Sequence, residues 1–171
     1  MQDSRRLVIV RHAKAEAQGP TDHERQLADR GRADARAGGT WLAATGIRPD
    51  LALVSSARRA IETYDALREG AGWELEAEAS ETLYSAEPET ALDVVRQVPD
   101  DVATVLVVGH NPTMGTLAQL LDDGEGDTAA SGDLLSGGFP TCALAVFEVP
   151  VAWPDLSFTG ATLTAFQVGR G

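Results

Sequence analysis

Three short apolar runs, residues 7–10 (LVIV), 51–54 (LALV) and 104–108 (TVLVV), each break abruptly into a polar cluster. Runs this short, β-branched and without polar alternation are the signature of strands buried on both faces. Helical stretches separate them. Residues 29–45 have helical composition and close at Gly46 and Pro49, and residues 57–69 read as a helix that ends at Gly70. Residues 74–79 read as an edge strand, 88–98 as a helix with Pro in its first turn, and 112–121 as a helix opened by Pro112. Strand and helix in alternation imply an α/β fold, a three-layer sandwich whose central sheet is mostly parallel with helices on both faces.

The last fifty residues change character. Residues 122–138 are rich in Gly, Asp and Ser and read as a long loop. Residues 142–149 and 157–168 then read as two strands joined through a turn at Trp153 and Pro154, an antiparallel pair at the sheet edge. With no internal repeat and no linker, the expectation is a single domain over residues 1–171, a length that suits one core.

Charge narrows the partners. The chain carries 14 basic and 26 acidic residues, a net charge of −12. Nucleic acid and anionic membrane both call for a cationic surplus, so neither is expected. The balance is uneven: residues 1–68 hold twelve basic groups against nine acids, whereas 69–171 hold only Arg96 and Arg170 against seventeen acids. All but Lys14 are arginines, whose planar fork suits phosphate or carboxylate, although Arg and Ala richness also fits a GC-rich genome. Cys142 is the sole cysteine, which fits a reducing compartment. No apolar stretch has the length of a membrane span or of a signal peptide's apolar region, so the expected location is cytoplasmic.

In parallel sheets ligands bind beyond the carboxyl ends of the strands. Here those ends are Arg11-His12-Ala13-Lys14, Ser55-Ser56-Ala57-Arg58-Arg59 and Gly109-His110-Asn111-Pro112. Each feature alone has a plain structural explanation: a hydrogen-bonding histidine, a solvated arginine, a rim lysine. Together they place two of the chain's three histidines and a set of arginines at one end of one sheet. Arginines at a helix start oppose the helix dipole unless an anion lies between. An oxyanion site accounts for all of them, while a metal site lacks both a local H-x-x-H and a carboxylate cluster.

These residues also resemble a known family. The string Leu7-Val-Ile-Val-Arg-His-Ala is similar to the Arg-His-Gly signature of the histidine phosphatase superfamily, with Ala13 where glycine is usual. Residues 55–63 (SSARRAIET) resemble its second motif, in which the phosphate-binding arginine lies four residues before Thr; this selects Arg59 over Arg58. Residues 107–114 (VVGHNPTM) resemble the motif of its second histidine, and residues 25–31 (RQLADRG) with the compact length resemble the SixA-type phosphohistidine phosphatases. The likeness covers roughly residues 6–120.

The resemblance implies His12 as the phosphoryl-accepting nucleophile, Arg11, Arg59 and His110 as its catalytic and substrate-binding partners, and Arg25 near the pocket mouth. It implies no metal and no cofactor. Many relatives place a carboxylic acid after the third strand, where Leu83-Tyr84-Ser85-Ala86 offers none, leaving Glu81 or Glu87 as displaced candidates. A P–N bond to imidazole needs less leaving-group protonation than an ester. The implied substrate is therefore a phosphorylated protein of the histidine phosphotransfer type. A small phosphorylated molecule is the alternative, and a phosphate-binding regulatory protein without turnover is the competitor from another class.

Overall fold

The structure, a computed structural model, describes residues 4–171. Six strands form one sheet in the order β3-β2-β4-β1-β5-β6: β1 (Arg5–Arg11), β2 (Leu51–Ser55), β3 (Glu78–Ser80), β4 (Thr104–Gly109), β5 (Ala143–Val149) and β6 (Thr162–Val168). The pairs β1/β4, β2/β4 and β2/β3 are parallel, and β1/β5 and β5/β6 are antiparallel. This is the mixed, mostly parallel α/β sheet that the alternation predicts.

Burial follows the strand period of two. Leu7 and Ile9 of β1 join a core on one face while Val8 and Val10 join the core on the other; Val105 and Val107 of β4 divide from Leu106 and Val108 in the same way. Each such side chain contributes about 1.5–3 kcal/mol on burial. One face is covered by α1 (Asp29–Ala44) and α2 (Arg58–Ala71) through Leu42, Tyr64 and Leu67. The other is covered by α3 (Glu81–Tyr84), α4 (Pro88–Arg96), α5 (Thr113–Leu121) and α6 (Thr128–Gly137), together with Trp153 of a short 3-10 turn.

Several boundaries differ from the expectation. The 57–69 helix does not stop at Gly70, because that glycine serves close packing: a Cβ there would overlap the Arg36 carbonyl, as one at Gly39 would overlap that of Leu67. The helix ends instead at Gly72, which takes the left-handed conformation at φ 74°. The 74–79 strand shortens to Glu78–Ser80, paired on one side only.

The 122–138 segment is not a long loop. It contains α6, capped by the Asp127 carboxylate accepting from Ala130 N–H at 2.8 Å and anchored by buried Ala130 and Leu134. β5 lies inside the sheet, between β1 and β6, so only β6 forms the antiparallel edge, and residues 157–161 belong to the turn before it.

Candidate active site

Strand register brings the three polar clusters level. Val10 and Val54 both pair with Val108, so Arg11, Ser55 and Gly109 leave the sheet together. The turn after β1 is fixed from both sides: His12 N–H donates to the Gly109 carbonyl at 3.0 Å, and Cys142 N–H donates back to the His12 carbonyl at 3.2 Å. Thr63 ties this turn to α2, accepting from Ala13 N–H at 3.0 Å and donating to the Arg59 carbonyl at 2.7 Å.

These ends open into a cleft of about 510 Å³ lined by Arg11, His12, Lys14, Arg25, Arg59, His110 and Asn111. The four residues expected at its centre are therefore together, with Arg25 and the exposed Lys14 beside them. Arg59, not Arg58, enters it. Arg59 is buried, whereas Arg58 lies on the exposed face of α2, paired with Glu62 at 3.3 Å. Glu81 and Glu87 are exposed and line no part of it.

His12 donates from Nδ1 to the Ala13 carbonyl at 2.7 Å. That bond fixes the tautomer and leaves Nε2 with its lone pair. Burial, then the charges of Arg59, Arg11 and Arg25, push its pKa down to about 4 against the Ala13 bond, so the ring is neutral at pH 7. His110 stands with its ring centre 5.1 Å from that of His12 and pairs through Nε2 with Ser55 Oγ at 2.7 Å. Burial first, and then His12 and Arg59, push its pKa down to about 3.

The cations lack carboxylate partners to match their number. Arg11 donates to the Phe139 carbonyl at 3.1 Å, and burial lowers its pKa. Asn111 donates to the same carbonyl at 2.7 Å. Arg59 and Arg25 share a single acid, Asp22, at 3.2 and 3.1 Å. Among the described residues, the buried side-chain nitrogens without any partner are Arg11 Nε, Arg59 Nε and His110 Nδ1 here, and Arg5 Nε at the opposite end of β1. Buried donors left open at one place are expensive unless a ligand takes them up. No group of three His, Cys, Asp or Glu among the described residues is placed to hold a metal ion.

Asp22, Tyr84 and the Phe139 carbonyl are the participants that sequence reasoning missed, and Asn111, named only within the strand-end cluster of His110, also lines the cleft. Asp22 carried one signal, its i,i+3 spacing to Arg25. Tyr84 carried none as a contact of Asp22, since 62 residues separate them.

Comparison with known proteins identifies the family and the fold. The profile of the Histidine phosphatase superfamily (branch 1) matches residues 7–87. A protein of Mycobacterium tuberculosis described as uncharacterized is 40% identical over 162 residues, spanning 94% of this chain and 100% of that protein. The structure of a candidate phosphohistidine phosphatase SixA from Nakamurella multipartitia superposes with a TM-score of 0.85 at 31% identity, covering 98% of each chain. A second SixA candidate, from Agrobacterium tumefaciens, gives a TM-score of 0.79 at 30% identity over 98% of this chain and 99% of that one.

Proposed function

The chain belongs to the histidine phosphatase superfamily, on its SixA-type side, and from that premise we propose that it hydrolyses phosphohistidine on a protein through a phosphorylated His12. The observation that carries this reading is the set of buried nitrogens without a partner in the protein, Arg11 Nε, Arg59 Nε and His110 Nδ1, on residues that line one cleft with a neutral His12 whose Nδ1 is engaged by the Ala13 carbonyl.

A phosphoryl group in transfer spreads its charge over three equatorial oxygens, and catalysis consists mainly of positioning and neutralising them. Arg11 and Arg59 supply two cationic grips. In this mechanism the Ser55 hydroxyl, 2.7 Å from His110 Nε2, donates to that nitrogen, which places the ring proton on Nδ1 as a third donor. His12 Nε2 attacks phosphorus as the P–N bond to the substrate imidazole breaks. The bonding electron pair departs on that imidazole nitrogen, which takes a proton from water. Water then attacks the phosphoryl group on His12; the P–Nε2 bond breaks, its electron pair returns to the ring, a proton passes to solvent and phosphate leaves. No step calls on a metal or cofactor.

Preference for a P–N bond over an ester rests on proton supply. Glu81 and Glu87 stand outside the cleft, and the one acid beside it, Asp22, is held down to about 2, first by the Tyr84 hydroxyl and then by Arg59 and Arg25. Among the described residues, none of these acids is thus placed and protonated at neutral pH to protonate an alkoxide.

The test is a rapid quench followed by a substrate panel. The wild type should carry an acid-labile, base-stable phosphoryl group that His12→Ala lacks, with turnover reduced by about 10⁴-fold or more. A phosphohistidine peptide should outrun p-nitrophenyl phosphate and sugar phosphates in kcat/KM. Equal rates across the panel would reassign the substrate to small molecules, and absence of both turnover and the trapped phosphoryl group would make the chain a phosphate-binding protein.

A further inference from the structure

Asp22 is the only carboxylate paired with any of Arg11, Arg25 and Arg59 among the described residues. It lies on the segment between β1 and α1, with its side chain 56% exposed. Its Oδ1 accepts from Arg25 Nε and pairs with Arg25 Nη2, both at 3.1 Å. Its Oδ2 accepts from Arg59 Nη2 at 3.2 Å and from the Tyr84 hydroxyl at 2.5 Å. Its backbone carbonyl accepts from Arg59 Nη1 at 2.8 Å.

A carboxylate offers about four lone-pair sites. Three hydrogen bonds and the ion-pair contact of Arg25 Nη2 engage the Asp22 carboxylate, and its low pKa keeps it ionised, so at neutral pH it is not a proton donor for a leaving group. What it can govern is the orientation of Arg59. A guanidinium has five N–H groups, and Asp22 takes one from each terminal nitrogen of Arg59. The Nε on the other edge is buried and makes no hydrogen bond within the protein. Tyr84, bonded to the same carboxylate, packs edge-on against His110 with ring centres 5.6 Å apart, and against His23 at 4.9 Å. One strut therefore reaches two of the groups assigned to the phosphoryl oxygens.

We propose that Asp22, backed by Tyr84, is a positioning residue that engages the outer edge of Arg59 and thereby commits its Nε side to the phosphoryl group. The proposal rests on the phosphatase reading above. Its chemical signature is a conflict of sign. An ionised carboxylate beside a phosphoryl dianion weakens equilibrium anion binding by repulsion, yet the orientation it imposes speeds transfer. A residue that merely held the loop would move both quantities in the same direction.

Asp22→Asn separates the two. Its kcat on a phosphohistidine peptide should fall by about 10- to 100-fold, while its affinity for inorganic phosphate stays level or tightens. Tyr84→Phe removes one bond from the strut without changing charge and should lower kcat by about three- to tenfold, with inorganic phosphate affinity level. Unchanged kcat in either variant would overturn the proposal, as would parallel loss of kcat and inorganic phosphate affinity in Asp22→Asn. Should Asp22→Asn fail to fold, Tyr84→Phe decides the matter alone. Wild-type protein in the same assay distinguishes the two failures, because absence of phosphorylated His12 there defeats the phosphatase reading and not the strut.

Discussion

Strand β1 carries an arginine at each end, and the fold treats them oppositely. Arg5, where the strand begins, meets the Asp100 carboxylate at 2.6 Å. Arg11, where it finishes, has a backbone carbonyl at 3.1 Å and, among the described residues, no carboxylate paired with it. The contrast extends across the sheet. At the starting edge Asp50 is consumed in structure, accepting from Ala103 and Thr104 N–H at 3.2 and 2.9 Å. At the finishing edge Arg11, Lys14, Arg25 and Arg59 line one cleft, and among the described residues Asp22, paired with Arg25 and Arg59, is the one acid bound to any of them, in a protein whose net charge is −12. Acids are plentiful in this chain, so their scarcity at one place marks a site whose counter-charge comes from outside.

Removing the arginine at each end in turn gives the largest expected effect on anion binding. Arg59→Ala or Arg11→Ala should weaken vanadate binding by roughly 10- to 100-fold, the equivalent of about 1.5–3 kcal/mol for a hydrogen bond to a charged group. Arg5→Ala should leave vanadate binding and turnover unchanged and instead lower stability by about 1–2 kcal/mol, through the lost packing of its buried stem and the lost Asp100 bond. Titration calorimetry with vanadate and urea unfolding of the three variants check this. If Arg5→Ala weakened vanadate binding as much as Arg11→Ala, the distinction between the ends would collapse.

The finishing edge was legible in the sequence because both of its components are local. An apolar run sets the strand, and the residue after it must point beyond the sheet, so Arg11, His12, Arg59 and His110 could be placed from spacing and motif. Asp22 and Tyr84 could not, since their bond spans the chain and neither sits in a periodic segment. α6 escaped for a different reason. Its Gly132, Ser131, Ser136 and Asp133 carry loop composition, and only Ala130 and Leu134, an i,i+4 pair, face the core. Tertiary burial and the Asp127 cap make it a helix despite weak propensity. That helix in turn delivers Phe139, whose carbonyl holds both Arg11 and Asn111.

Acid sharpens the comparison at intermediate size. His12 and His110 have folded pKa values of about 4 and about 3, both below the ordinary histidine value of 6.5. Between pH 6.5 and those values the unfolded chain binds protons that the folded chain refuses. Stability should therefore be complete above about pH 6.5 and decline as the pH falls toward 4 and then 3. Asp22, lowered from 3.8 to about 2, adds a further loss as the pH falls from about 3.8 toward 2. The urea midpoint measured at pH 7.5 and pH 5 should fall in the wild type and fall less in His12→Ala. In the free enzyme the acid limb of kcat/KM should lie near pH 4, because only the neutral ring has a lone pair to offer; a limb near 6.5 would mean that burial does not control the nucleophile.

The smallest effect tests how far the cationic end extends. Arg25 and Lys14 both line the cleft, but their surroundings differ. Arg25 is held by Asp22 and by the Glu16 carbonyl at 2.9 Å, so its charge is fixed in place and partly balanced. Lys14 is exposed, where water and salt screen it. Arg25→Ala should raise KM by about threefold with little change in kcat, the mark of an interaction equal in ground and transition states. Lys14→Ala should stay within about twofold, and that difference should vanish in 0.5 M salt, where exposed charges more than a few ångströms apart no longer sense each other. A Lys14 effect that persisted at high salt would mean a direct bond to substrate. The binding end of β1 would then reach beyond the side chains fixed by the fold, to one that only the substrate sets in place.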